Sequence, residues 1–463
     1  MMNREKLRGL DPLRLVMSAE LSGAQAAGLC ALLCAAFFAA ALRFCTGMEG
    51  AAVIAAVGTL CLAMLMLGTC GAIRRCDRSV LVLLCAALAA MLAIGAHLAM
   101  LPVKPGRYTK VLEPLLEEMF NYELPTAMAW EDDGWSGGYL IVCALLSRLE
   151  NFSALYAVKL IDLVFLSAAA CAALRLAQQA GADPIRAMGA MALCMLAPTM
   201  LFNAGCWAQC DAVFAAMTLW GLALVLDEHP LAGCLLLGAA LATKLQSAFV
   251  FPILLVLFME RRVSLRHLLA ILLAFVALQA AILVDGLGFA SLFGRYAQQL
   301  DNAAQTIGLT DNAPGVFGMM RIASVREFGG MGLYLGIASA LLVVAAMLRA
   351  RAPLSNRTLL LGAWLLAAGL PLILPQMNVR CLYLACLLGF ALARSARQLA
   401  AAAVLEGVSL CGYMTAIFGY ESLPLFALSL LAIAAAVVLA MELLAALKNP
   451  ETDGGKADGG VCA

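Results

Sequence analysis

Four polar clusters interrupt a chain that is otherwise mostly hydrocarbon, and each carries side chains able to grip a charged ligand. The first runs from Asn203 through Trp207 and Gln209 to Asp211. Asp211 at a helix start either caps free N–H groups or orients a ligand, and three further polar or aromatic side chains are a costly set for turning a corner. The second pairs Lys244 with Gln246; the lysine either snorkels to lipid headgroups or meets an anion held between helices. The third holds Asp311 and Asn312 ahead of Pro314, and the fourth holds Gln376, Asn378, Arg380 and Tyr383. Arg380 either anchors at headgroups or clamps phosphate, whose oxygens a planar guanidinium binds two at a time. The sequence has no Gly-rich phosphate loop, no metal-ligand spacing and no Ser/His/Asp set. Its only histidines are His97, His229 and His267. Any general base must then be a carboxylate, with a divalent metal held by first-loop carboxylates as a possible aid. The first outer loop offers seven of them between Pro102 and Gly137: Glu113, Glu117, Glu118, Glu123, Glu131, Asp132 and Asp133.

What positions these clusters is a membrane. The chain is 64% hydrophobic and 13% charged, with a mean hydropathy of +0.95, too little charge to clothe a soluble domain of this length. A net charge of +1 excludes a strongly basic nucleic-acid binder. Most of the 17 cysteines fall inside apolar runs, where a thiol is a small apolar group. Spans are predicted at about 22–46, 51–72, 80–101, 155–175, 187–202, 211–227, 231–245, 247–259, 266–285, 330–349, 358–374, 381–396, 398–418 and 424–447. Backbone bonds closed within each span dictate an all-α polytopic helical bundle with about 14 spans.

Lysines and arginines in short loops orient it. The N-terminus, the loops at 74–78, 175–186, 227–230, 261–267, 349–357 and 394–397, and a disordered tail at 448–463 are expected in the cytoplasm. Residues 1–447 then form one domain with a first outer loop at 102–154 and a second at 286–329. The stretch 138–149 is apolar but short, and counting it as a crossing would reverse the later loops. It is expected in the outer interface. Within the acidic first loop, Tyr108 to Phe120 has the apolar period of an amphipathic helix.

Taken in order, these clusters resemble the polytopic GT-C glycosyltransferases, most closely bacterial homologues of the second mannosyltransferase of GPI-anchor synthesis. The resemblance spans roughly Tyr108 to Ala396. It rests on Leu155 through Lys159 to Asp162, Phe202 to Asp211, Ala242 to Gln246, Asn312 to Pro314, and Leu374 through Arg380 to Tyr383. It implies a GT-C fold in a bacterial cell membrane and a sugar donor carried on polyprenyl phosphate. It further implies transfer, with inversion, to a glycan, lipid or protein acceptor outside the cytoplasm. Glu131, Asp132 or Asp133 would be the base, and Asp211 a structural or acceptor-orienting acid. Lys244 and Arg380 would hold the donor phosphate. Asn203, Trp207, Gln209, Gln246, Asn312, Gln376 and Tyr383 would line the donor and substrate site. The chain departs from the family pattern in three places. Arg107-Tyr108 stands where an acid precedes the amphipathic helix; Asn378, Val379 and Cys381 stand where the family has histidine, acid and tyrosine around the arginine; and Ala208 replaces a glycine. Those departures leave a non-catalytic relative as an alternative; a lipid-linked sugar transporter or flippase, binding without chemistry, is another.

Overall fold

The computed structural model describes residues 21–73, 79–106, 108–128, 136–149, 151–279, 294, 309–320, 325–350 and 353–448. Helices α1 (Gly23–Phe44), α2 (Ala51–Ile73) and α3 (Ser79–Ala99) lead to a π-helical turn at Tyr108–Leu112. The short helices α4 (Glu113–Phe120), α5 (Leu124–Met128) and α6 (Gly137–Leu146) follow. The centre is built from α7 (Ala154–Gln179), α8 (Pro184–Leu196), α9 (Pro198–Trp207), α10 (Asp211–Leu226), α11 (Pro230–Thr243), α12 (Leu245–Met259) and α13 (Leu265–Ala277). The rest comprises α14 (Val316–Met319), α15 (Val325–Leu348), α16 (Asn356–Ile373), α17 (Tyr383–Leu392), α18 (Ala396–Phe418) and α19 (Leu425–Lys448). One small sheet joins β1 (Thr310–Asp311) to β2 (Met377–Asn378). The chain is an all-α polytopic bundle, as its hydropathy dictates.

Each of the fourteen expected spans falls on a helix, but the helices are unequal. Among the described residues eight are long and apolar enough to cross a membrane, or nine if α8 and α9, bent by 43° at their junction, count as one span. The others, α10 to α13 and α17, are apolar helices of 10–17 residues, short of the roughly 20 that a bilayer needs. Their ends explain the shortness. α9 stops at Trp207, α10 starts at Asp211, α11 stops before Lys244, and α17 starts just after Arg380. Interrupted helices survive at membrane depth only where the freed backbone is buried in protein or faces a cavity.

The bend between α8 and α9 has a local cause. Pro198 cannot continue the hydrogen-bond ladder, and Ala197 before it is extended. Glu406 of α18 takes up the freed polarity, accepting from the Thr199 amide at 3.1 Å and its hydroxyl at 2.7 Å. At the end of α3, Lys159 closes orphan carbonyls, donating to Met100 at 2.7 Å, Leu101 at 3.2 Å and Val103 at 2.6 Å.

Several of the basic loops meet at the other ends of the interrupted helices, away from the interruptions. Arg175 binds both carboxylate oxygens of Asp227 at 2.8 and 2.5 Å, and Arg394 donates to the Ala177 carbonyl at 3.1 Å. Arg262 donates to Asn356 at 2.8 Å, and Gln398 to Glu442 at 2.9 Å. The expected cytoplasmic segments at 1–20, 74–78 and 449–463 lie outside the described residues. α6 sits at the opposite end and is mostly buried, with Tyr139, Leu140, Cys143 and Ala144 inside. Arg148 beyond it donates to the carbonyls of Met119 at 3.0 Å and Phe120 at 3.1 Å, tying α6 to the end of α4.

α10 and α11 pack closely because glycines face each other. A Cβ on Gly233 would lie 2.6 Å from the Gly221 carbonyl oxygen and 2.6 Å from Val225. Gly233→Leu must therefore push apart the helices that end in Asp211 and Lys244. Overpacking of this kind costs about 1–3 kcal/mol. Thermal unfolding of the purified variant in detergent should show a lowered midpoint; an unchanged midpoint would mean that the two helices do not need this contact.

Candidate functional site

Three of the four clusters meet at Asp211, and the one at Asp311 and Asn312 borders a cavity beside it. The Asp211 side chain is fully buried at the first turn of α10. One carboxylate oxygen accepts from Lys244; the other accepts from Asn203 at 2.7 Å and lies 3.5 Å from Arg380 Nη1. The same Arg380 nitrogen donates to Gln209 Oε1, and Gln209 donates to the Trp207 carbonyl at 3.2 Å. Asn203 also donates to the Tyr413 hydroxyl at 3.0 Å. The Arg380 guanidinium lies 5.2 Å from the centre of the Trp207 ring, within cation–π range. Trp207 meets Tyr413 edge to face, with ring centroids 5.3 Å apart.

Local sequence sets this arrangement. A π-helical stretch at Leu201–Trp207 turns Asn203 and Trp207 inward and ends at Ala208, whose φ is 54°. That left-handed conformation suits glycine, the residue the family pattern places here, and costs an alanine about 1 kcal/mol. On the other side, β2 pairs in parallel with β1, Thr310 opposite Met377 and Asp311 opposite Asn378. The Gln376 amide donates to the Leu309 carbonyl at 2.7 Å, and the Arg380 amide to Asn378 Oδ1 at 3.0 Å. Two short segments from distant parts of the chain thus hold Arg380 in register.

Arg380 and Trp207 open onto a cavity of about 570 Å³. Its wall includes Pro105, Gly106 and Lys110 from the first outer loop, Asp311 and Asn312 from the second, and Asn378 and Thr415. The carboxylate of Asp211, one lysine and one arginine leave the central trio with one net positive charge, and only Arg380 of the three reaches the cavity wall. Lys244 sits behind Asp211, its side chain 16% exposed. The N-termini of α10 and α17 add their dipoles near the same point, and both favour an anion.

The structure brings together Asn203, Trp207, Gln209, Asp211, Lys244 and Arg380 in one network, with Asn312 on the shared cavity. Gln246, Gln376 and Tyr383 do not line that cavity; Tyr383 is fully buried and Gln376 contributes a backbone bond. Glu131, Asp132 and Asp133 lie outside the described residues. Among the described residues no three His, Cys, Asp or Glu side chains gather as a metal site. Tyr413, Lys110 and Thr415 were not singled out by sequence. Tyr413 sits in an apolar helix 210 residues from its partner Asn203, a separation that leaves no local signal.

Residues 140–260 match the family model described as alpha-(1->6)-mannopyranosyltransferase, N-terminal domain. That stretch contains Lys159, Asp162, Asn203, Trp207, Gln209, Asp211 and Lys244, and ends before Asn312 and Arg380. No curated protein matches the chain. Over this segment the chain is similar to the alpha-(1->6)-mannopyranosyltransferases, as a GT-C mannosyltransferase-like membrane protein would be.

Proposed function

We propose that the protein transfers a mannose-like sugar from a polyprenyl-phosphate donor to an acceptor hydroxyl at the extracytoplasmic face of a bacterial cell membrane. The observation that carries this is the Arg380 guanidinium, held by Gln209 and Asp211 over Trp207 and presented to a cavity among interrupted membrane helices. A lipid phosphate needs a cation near the membrane boundary, and its sugar needs an aromatic face and amide groups; Trp207, Asn312 and Asn378 supply these.

In the transfer, the acceptor oxygen attacks the anomeric carbon while that carbon's bond to the phosphate oxygen breaks, inverting the centre. Arg380, with Lys110 across the cavity, takes up the charge that develops on the departing polyprenyl phosphate. Asp211 and Lys244 hold Arg380 in place and set the net charge it presents. A carboxylate of the cavity wall accepts the acceptor's proton.

The test is reconstitution of the purified protein in liposomes with radiolabelled polyprenyl-phosphate mannose and a panel of extracted envelope acceptors. Label should move from donor to acceptor, with free polyprenyl phosphate released in equal amount. Saturable donor binding without any release would replace transfer with a binding or carrier role. Absence of donor binding would remove the proposal altogether.

A further inference from the structure

We propose that Asp311 is the general base of this site, an assignment that rests on the transfer reading above. Among the described residues it is the one carboxylate on the cavity wall, alongside Arg380 and Trp207. A base must be rigidly held, reachable by the acceptor and free to take a proton. Asp311 meets all three requirements.

Its backbone is fixed on both sides. Asp311 pairs with Asn378 in the two-stranded ladder, two residues before Arg380. The turn that follows is closed by the Ala313 amide donating to Thr310 Oγ1 at 3.0 Å, and Gly315 donates to Ser429 of α19 at 3.0 Å. The group meant to activate the acceptor thus sits in this small sheet, and the group meant to hold the leaving phosphate follows its other strand by two residues. Their separation is set by backbone bonds, not by two floppy loops.

The other nearby acids are already engaged or lie off the wall. Asp211 is fully buried, with Lys244 on one oxygen and Asn203 and Arg380 on the other. A carboxylate so enclosed is absent from the cavity wall, where an acceptor would have to reach it. Glu113 is paired with Lys104 at 2.8 Å. Asp162 is buried in α7 and does not line the cavity. Asp311 is half-buried, and among the described residues its carboxylate makes no ion pair.

In the step, the acceptor O–H proton passes to an Asp311 carboxylate oxygen as the acceptor oxygen bonds the anomeric carbon. The electron pair of the broken carbon–oxygen bond leaves with the polyprenyl phosphate. Asp311 then loses its proton to solvent through the open cavity, restoring the charged form.

Asp311→Asn keeps the shape and removes the basicity. Transfer from polyprenyl-phosphate mannose in liposomes should fall about 100-fold or more, while donor affinity, read by donor-induced thermal stabilisation, stays within about twofold. Sodium azide, a nucleophile with no proton to lose, should restore donor cleavage in the variant and yield a glycosyl azide. Transfer by the variant within about threefold of the parent, with the parent active, would overturn the assignment alone. So would loss of donor affinity equal to the loss of transfer, or failure of azide to raise donor cleavage. A parent protein that binds no donor would instead bring down the transfer reading, and the base with it.

Discussion

Asp211→Asn is expected to lower the thermal unfolding midpoint sharply and to abolish sugar transfer. The carboxylate is fully buried between Lys244 and Arg380, the first of which contacts it directly while the second lies at 3.5 Å. Neutralising it leaves two cations facing one another in a site walled by Phe214, Trp207 and Tyr413, with little water to screen them. Removing one partner of a buried ion pair costs about 3–5 kcal/mol, because the remaining charge is stranded. Here two charges are stranded at once, so the upper part of that range is expected. The asparagine keeps a single carbonyl oxygen, so Lys244 and Asn203, which now use separate oxygens, cannot both keep an acceptor. Differential scanning of the detergent-purified variants measures the effect. The double variant Asp211→Asn, Lys244→Met removes one of the two stranded cations and should recover part of the loss, a coupling that distant sites do not show. Additive losses in the two variants would mean that lysine and aspartate do not depend on each other for charge balance, and the trio would dissolve as a unit.

How much of this was legible in the sequence follows from what a bilayer penalises. Ionisable groups within apolar runs are expensive, so Asp211, Lys244 and Arg380 stood out against their surroundings and proved to touch. Helix positions were equally plain, since each expected span lies on a helix. What hydropathy does not carry is which way a residue faces. Gln246, Gln376 and Tyr383 belong to the same polar clusters as the site residues, yet they do not line the cavity. Lys110 looked like an ordinary loop charge and Asp311 like one member of a polar cluster, and only the approach of the two outer loops places them on one wall. Helix length was also misjudged in kind. An apolar stretch reads as a full span whether it crosses lipid or stops at a buried polar site, and α10, α11 and α17 are of the second sort. Ala208 shows the converse case: the missing glycine was visible in sequence, but the positive φ that gives the position its meaning needed the fold.

Arg380→Ala should separate activity from stability in a way that Asp211→Asn does not. Deleting the guanidinium leaves Asp211 paired one-to-one with Lys244, a neutral buried pair that keeps Asn203 as a further donor. The unfolding midpoint should therefore fall less than for Asp211→Asn. Transfer should fall by about 100- to 1,000-fold, the usual cost of deleting a charge stabiliser aimed at a developing anion. Donor affinity should fall too, because Arg380 is the member of the trio on the cavity wall. Arg380→Lys is not expected to rescue the site. A single ammonium cannot reach Gln209 and Asp211, cover the Trp207 face and still present paired donors to phosphate. Initial rates in liposomes, set beside midpoints for the three variants, give the comparison. Equal midpoints for Arg380→Ala and Asp211→Asn would show that charge balance around Asp211 does not govern stability. A lysine variant with near-parental transfer would show that the donor is held by charge alone, leaving the fork geometry of Arg380 without a role.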